Sequence, residues 1–347
     1  MMKRKGLLAV AFLLILFVAA GCGSSGSDAT EKEIIRIGHN QSQNHPTHIG
    51  MLAFEKEIES KLGDKYDIQI YPSELLGTQT NMVQLTQTGA IEISVASNSI
   101  LETFDKQYEL FNLPYLFKNK EVYHAVMNDP EIVDPIFKST AAAGFETVAW
   151  LDAGIRNFYT VNTPIEEPTD LKGLKIRVQQ SPTNVAMMNL FGGSATPMGF
   201  GDVYTAIQSG VIDGAENNEL ALTENGHGDI VKYYSYTEHQ MIPDEVIVNN
   251  NFLANLSAKE REIFNAGFKI LQDTQHEAWT IGVDEAKERA ENEMGVEFNY
   301  PDTEIFRQTV QPLHEKMLEE NPSLQPMYDA IMQKTAEVEA EEGGAEE

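Results

Sequence analysis

The stretch LKGLKIRVQQ, residues 171–180, sets a guanidinium in the middle of an alternating run. Leu174, Ile176 and Val178 share one face of an extended strand, and Lys175, Arg177 and Gln179 share the other. The apolar face fits a core. Arg177 then looks at water, at a structural carboxylate or at a bound anion. A guanidinium presents a planar fork of N–H groups that meets both oxygens of a carboxylate at once, so the third option is a binding chemistry. Arg156, in AGIRNFY after the apolar run VAWL, is a second candidate cation, with a structural salt bridge as its alternative. His39, His45 and His48 cluster in HNQSQNHPTH, but their spacing matches no standard metal pattern and no thiolate accompanies them. Pro46 suits the first turn of a helix and puts His45 in the loop before it, where a strand-to-helix connection faces a ligand crevice. A solvated loop histidine is the plainer reading of the same residue.

Catalytic signatures are missing. The chain has no GxxxxGK[ST] loop, no HExxH and no GxSxG. GFGDVY and GHGDI begin like a dinucleotide fingerprint, but Tyr204 and Val231 occupy the place of the third glycine. The only cysteine is Cys22, so nothing beyond it supports thiol chemistry. A hydrolase or lyase would have to use Glu216 and His45, which show no catalytic spacing. No enzyme activity, cofactor or metal is expected.

The first residues belong to targeting. Lys3, Arg4 and Lys5 precede an apolar run at 6–20, too short for a comfortable membrane span and flanked like a secretory signal. Ala19-Ala20-Gly21-Cys22 resembles a bacterial lipobox, whose cysteine is diacylated after cleavage; Ala19 stands where a bulky aliphatic residue is usual. The expectation is a lipoprotein signal at 1–21, lipidation at Cys22, a flexible tether at 22–32 and a body held at the outer face of the membrane. Without later cysteines the fold does not depend on disulfides. The net charge of −28 becomes −31 once 1–21 are removed, because that segment holds three cations and no acid. Such a surface repels nucleic acid and anionic headgroups, so any anion site must bring its own cations.

Behind the candidate residues, strand-like runs at 34–40, 66–72 and 91–97 alternate with helical patterns at 48–62 and 79–89. That order predicts a parallel, doubly wound sheet with its ligand crevice at the carboxyl ends of the strands. Helical stretches follow at 119–128 and 131–143. FETVAWLDAGIRNFYTV, 145–161, is too long for one strand and predicts a passage from one sheet into another. A second α/β block contains LKIRVQ as a strand, then PTNVAMMNLFG and FGDVYTAIQSG as helices; VIVNNNFLA, 246–254, reads as a further strand. From Ser257 to Gly295 runs one long helical pattern, opened by a capping box of Ser257 and Glu260, with Phe264, Phe268, Leu271, Ala278 and Ile281 on one face.

Residues 171–218, ending in DGAENN, resemble the signature region of the substrate-binding proteins of TRAP transporters, the tripartite ATP-independent importers of organic acids. IYPSELLGTQTNMVQLTQTGAIEISVAS, ELFNLPYLF and DAGIRNFYTVNTPIEEPTDLKG extend the resemblance over nearly the whole mature chain. It implies a periplasmic-binding-protein-like fold: two α/β domains, crossing strands, a long shared helix and an interdomain cleft that closes on its ligand. Domain I would span 33–154 plus 243–282, domain II 155–242 plus 283–336, with an acidic tail at 337–347. The resemblance assigns Arg177 to the ligand carboxylate, Arg156 beside it, Asn217 as a hydrogen-bond partner and Phe200 as an aromatic wall. It gives Glu216 the orienting of an arginine, or ligand hydroxyls. Gln179 continues the Arg177 strand towards the same hydroxyls. Asn98 is neutral where sialic-acid binders carry charge, and NHP with GxRxFY and DGAENN is similar to the hexuronate branch; His45, Asn40 and Asn98 would then serve ligand hydroxyls. A C4-dicarboxylate receptor, with Arg156 as the second cation, and a ligand-binding partner of a sensor kinase are the alternatives. The implied partners are a small carboxylate, the transporter's membrane subunits and the membrane through the lipid, with a monomeric body and no nucleic acid.

Overall fold

The computed structural model describes residues 32–345, so the signal segment and Cys22 lie outside the described residues. Two sheets organise them. The first has the order β2-β1-β3-β10-β4, built from Glu33–Gly38 (β1), Tyr66–Tyr71 (β2), Ile93–Ser97 (β3), Phe145–Leu151 (β4) and Asp244–Asn249 (β10). The second runs β11-β9-β5-β8-β6-β7. Its strands are Ile155–Thr160 (β5), Lys175–Val178 (β6), Ser194–Pro197 (β7), Gly214–Asn217 (β8), Tyr233–Met241 (β9) and Glu297–Asn299 (β11).

The chain passes between the sheets three times, from β4 into β5, from β9 into β10 and, through the helix Ala258–Asn292, from β10 to β11. The long apolar run at 145–161 is the first passage. It breaks at 152–154, where Gly154 takes a φ of 67°, a conformation open to glycine without strain. The two α/β domains, crossing strands and shared long helix expected of the fold are all present.

β1 pairs in parallel with β2 and β3, as the alternation predicts, but the sheet is mixed. β10 enters antiparallel between β3 and β4, setting Asp244 opposite Ser97 and Leu151. The reason is directional: a chain returning from the second sheet meets the first at its carboxyl-end edge and must run back from there. The strand expected at 246–254 is therefore Asp244–Asn249, and Asn250–Asn255 is helical, capped by the Asn249 side chain.

The helix Pro46–Leu62 starts with Pro46 at its first turn and His45 as N-cap, whose Nδ1 accepts the Thr47 N–H. Its Met51, Phe54 and Ile58 face Phe264, Phe268 and Leu271 of the long helix Ala258–Asn292, with Phe54 stacked on Phe268. Each such side chain contributes roughly 1.5–3 kcal/mol through burial. Gly50 lets the backbones approach, since a Cβ there would meet the Leu271 carbonyl oxygen at 2.8 Å.

The capping box of Ser257 and Glu260 opens the long helix as expected. Its 35 residues span about 50 Å. Beyond Leu271 the buried stripe runs through Gln275, Trp279, Ala286 and Ala290, while Ile281 is exposed. The expected face drifted because the helix changes neighbour there, from the first sheet's helix to Leu220 of the second domain. Gln275 holds the first passage by exchanging hydrogen bonds with the Asp152 backbone. The acidic tail expected at 337–347 is helical as far as Ala345, in a helix that begins at Gln325. Among the described residues no helix is long and apolar enough to cross a membrane.

Candidate functional site

The carboxyl ends of β1, β2 and β3 face those of β6, β7 and β8 across a narrow cleft. β5 and β10 run the other way, so Arg156, second in β5, and Asp244, first in β10, reach the same cleft.

Arg177 answers the question its strand raises. Ile176 and Val178 are fully buried on the core face, and Arg177, only 4% exposed, is turned into the cleft. Nε and one Nη donate to the Met198 carbonyl at 3.2 and 3.0 Å, which fixes the fork. The other Nη has no partner, and no described carboxylate lies within ion-pair distance. The Phe200 ring covers the guanidinium, 5.6 Å from its carbon to the ring centroid. Burial pulls the Arg177 pKa down, an effect opposed by Glu216 and Tyr159. Even so, a guanidinium stays charged. A buried cation without a counter-ion is costly, and an arriving carboxylate relieves that cost.

Arg156 differs. Its Nε meets Glu216 Oε2 at 2.5 Å, one Nη donates to Asn217 Oδ1 at 3.0 Å and the other to the Glu216 carbonyl. Burial alone would raise the Glu216 pKa; the Arg156 charge and the neighbouring His239 overcome it and hold the carboxyl at about 2. Arg156 is therefore a neutralised, oriented donor at the cleft wall rather than a free cation. Asn217 has its oxygen committed to Arg156 and to Asn218, which leaves the amide NH₂ facing the cleft unpartnered.

Asn40 and Gln179 also line the cleft. Gln179 Oε1 accepts from Asn184 at 3.2 Å, freeing its NH₂, and Asn40 Oδ1 is buried without a partner. The structure thus brings Arg177, Arg156, Asn217, Phe200, Asn40 and Gln179 together. It does not bring His45, Asn98 or Glu216 to the wall. His45 caps its helix and packs edge-on against Trp279, centroids 5.7 Å apart, and burial holds its pKa near 3. Asn98 Nδ2 is tied to the Tyr108 carbonyl and Asn112. Glu216 is fully buried behind Arg156.

Sequence reasoning gave no role to Glu74, Gln41 or Asp244, all of which line the cleft. Glu74 ends the β2 connection and reaches across the mouth, its Oε2 accepting the Gly201 N–H at 3.1 Å. A second link lies deeper. Glu102, after β3, accepts from Ser181 Oγ at 2.6 Å and from both the N–H and the hydroxyl of Thr183, with Asn112 as a fourth donor.

Residues 37–321 match the model of the bacterial extracellular solute-binding proteins, family 7, DctP. The chain belongs to that family. Its members are the binding proteins of TRAP systems, not enzymes, and work outside the cytoplasm. A relative from Salmonella typhimurium, an uncharacterized protein YiiZ, is 34% identical over 95% of this chain and 98% of its own. Among solved structures, a TRAP periplasmic solute-binding protein from Anaerococcus prevotii with bound D-glucuronate is 64% identical. It covers 88% of this chain and 99% of its own, with a TM-score of 0.87. One from a Sulfitobacter species with bound β-D-galacturonate is 28% identical over 86% of this chain and 98% of its own, with a TM-score of 0.82. The family's relatives with hexuronates bound match the branch that NHP, GxRxFY and DGAENN resemble.

Proposed function

We propose that this protein captures a hexuronate, D-glucuronate or D-galacturonate, in the cleft and delivers it to the membrane subunits of a TRAP transporter. The observation that carries the reading is Arg177, a buried guanidinium with one unpaired edge, beside the unpartnered NH₂ of Asn217. That pair receives the carboxylate. Gln179 and Asn40 offer neutral partners for ring hydroxyls, and Phe200 walls the sugar beside Arg177. The hexuronates bound by the Anaerococcus and Sulfitobacter relatives support the choice of ligand. The C4-dicarboxylate alternative needs Arg156 free as a second cation, and Glu216 already engages it.

In this reading, domain I is 33–154 plus 243–282 and domain II is 155–242 plus 283–336. They close on the ligand because contacts to both exist only in the closed form. Glu74 to Gly201 and Thr80 to Gln180 are contacts of that kind at the mouth. Acylation at Cys22 holds the monomeric protein at the outer face of the membrane.

The test is a thermal-shift screen of the mature protein followed by calorimetric titration. Glucuronate and galacturonate raise the melting temperature; succinate, sialic acid and glucose leave it in place. A shift with succinate alone rejects the hexuronate reading, and silence with every acid rejects the cleft as a carboxylate site.

A further inference from the structure

The cleft contains a charged group that the carboxylate-binding reading leaves unused. Asp244 opens β10 at the second passage between the sheets, beside Ser97 of β3 and Leu151 of β4. It is 7% exposed and lines the cleft. Its carboxylate makes no hydrogen bond and no ion pair with any described residue, although Arg156 attracts it through space. Buried acids are ordinarily paired, so a carboxylate left open to a cleft implies donors supplied from the cleft.

The charges fix what kind of donor. Arg156 and Arg177 face Glu74 and Asp244 in the wall, with Glu216 behind Arg156. Two guanidiniums are matched against three carboxylates, so the cleft has no surplus positive charge. One ligand carboxylate is accommodated because Arg177 is unpaired. A second would meet Asp244 at close range, where like charges repel strongly in a water-poor site. Hydroxyl groups do the opposite, since each donates a charge-assisted hydrogen bond to a carboxylate oxygen. Sugars with adjacent hydroxyls can give two.

We propose that Asp244 is the specificity residue of the cleft: it takes ring hydroxyls of a monocarboxylate sugar acid and excludes a second ligand carboxylate. The proposal rests on the hexuronate reading above. It adds the group that separates hexuronates from dicarboxylates of similar length. Discrimination of this kind comes partly from an unfavourable contact with the wrong ligand, which Asp244 supplies.

Calorimetric titration of wild type, Asp244→Asn and Asp244→Ala with D-glucuronate and succinate tests it. For Asp244→Ala, glucuronate affinity falls at least tenfold. For Asp244→Asn, the preference for glucuronate over succinate falls at least tenfold, since the amide keeps one acceptor and removes the repulsion. A parallel loss for both ligands at constant preference makes Asp244 a structural residue and overturns the proposal, as does unchanged glucuronate binding in both variants. The hexuronate reading itself fails separately, if wild type does not bind glucuronate. A structure of wild type with D-glucuronate needs no variant to fold: a ring hydroxyl within hydrogen-bond distance of the Asp244 carboxylate supports the assignment, and a ligand turned away from it overturns it.

Discussion

Asp244 also predicts how stability depends on pH without ligand. Burial raises its pKa from 3.8 to about 6, against the smaller pull of Arg156. In the unfolded chain the carboxyl has its ordinary value near 3.9. Below that pH both states hold the proton and the residue costs nothing. Between roughly 4 and 6 the unfolded chain ionises first, the folded state binds more protons, and stability falls as pH rises. Above about 6 both are ionised and the full cost remains. A shift of about two units corresponds to ~3 kcal/mol at 1.36 kcal/mol per unit. Asp244→Asn removes the ionisation and keeps the shape, so at pH 8 the apo variant is more stable than wild type by up to ~3 kcal/mol. For a chain of this size that is a melting-temperature gain of about 4 °C. At pH 4 the gain disappears. Calorimetric melting of both proteins between pH 4 and 8 reads the difference. A gain that is independent of pH, or no gain at pH 8, refutes the placing of an unpaired, ionisable carboxylate in the cleft.

Arg177→Ala removes a bidentate, charge-assisted partner and weakens hexuronate binding by at least about 100-fold, roughly 3 kcal/mol, while melting stays cooperative; retained affinity in titration would return Arg177 to a structural role. Glu102→Ala strands the donors of Ser181, Thr183 and Asn112 in the buried link between the domains, and denaturant unfolding shows a loss on the order of 3 kcal/mol. Glu216→Gln leaves Arg156 without its counter-charge. Because the Glu216 pKa lies below the unfolded value, its stabilising contribution is full above about 4.5 and lost as pH falls towards 2, so the variant's deficit in melting temperature is large at pH 7 and closes in acid. Cys22→Ser sends the protein to the soluble fraction of cells expressing the full chain; continued retention on membranes would remove lipid anchoring.

What the sequence made legible was what local chemistry dictates. The alternation around Arg177, the capping box at Ser257 and the helix stop at Gly89, whose φ is 74°, are each set by a few neighbouring residues, and each stands where expected. The passage at 145–161 was legible because no single strand is that long and that apolar. What stayed hidden depends on partners far along the chain. His45 was expected in the cleft from its place before Pro46, but the helix needed a cap and Trp279, over two hundred residues away, supplied a wall for the ring. Arg156 was read as a second cation with a salt bridge as its alternative, and what the sequence could not choose is that Glu216, on the neighbouring strand β8, is the partner that engages it. Asp244 was invisible because strand reading began at Val246, two residues into a strand whose first residue is the one that reaches the cleft.

The chain's excess of acid and the proposed capture of an anion are reconciled by range. At physiological ionic strength the field of a surface carboxylate is screened beyond about 8 Å, so the acidic exterior acts mainly on the approach of the ligand. Inside the cleft the balance is set by the few groups within one or two atomic diameters. There an ion pair at 4 Å is worth about 4 kcal/mol at an effective dielectric of 20. Arg177 is turned from water, fixed by Met198 and left without a described counter-ion, so its attraction is directed at whatever enters. The acids of the wall then act as a filter on that attraction. With Glu216 spent on Arg156, and Asp244 and Glu74 unmatched, the proposed site admits one negative charge and asks for hydroxyls around it. The acidity of the surface and the acidity of the cleft are therefore separate features, and only the second bears on the proposed choice of ligand.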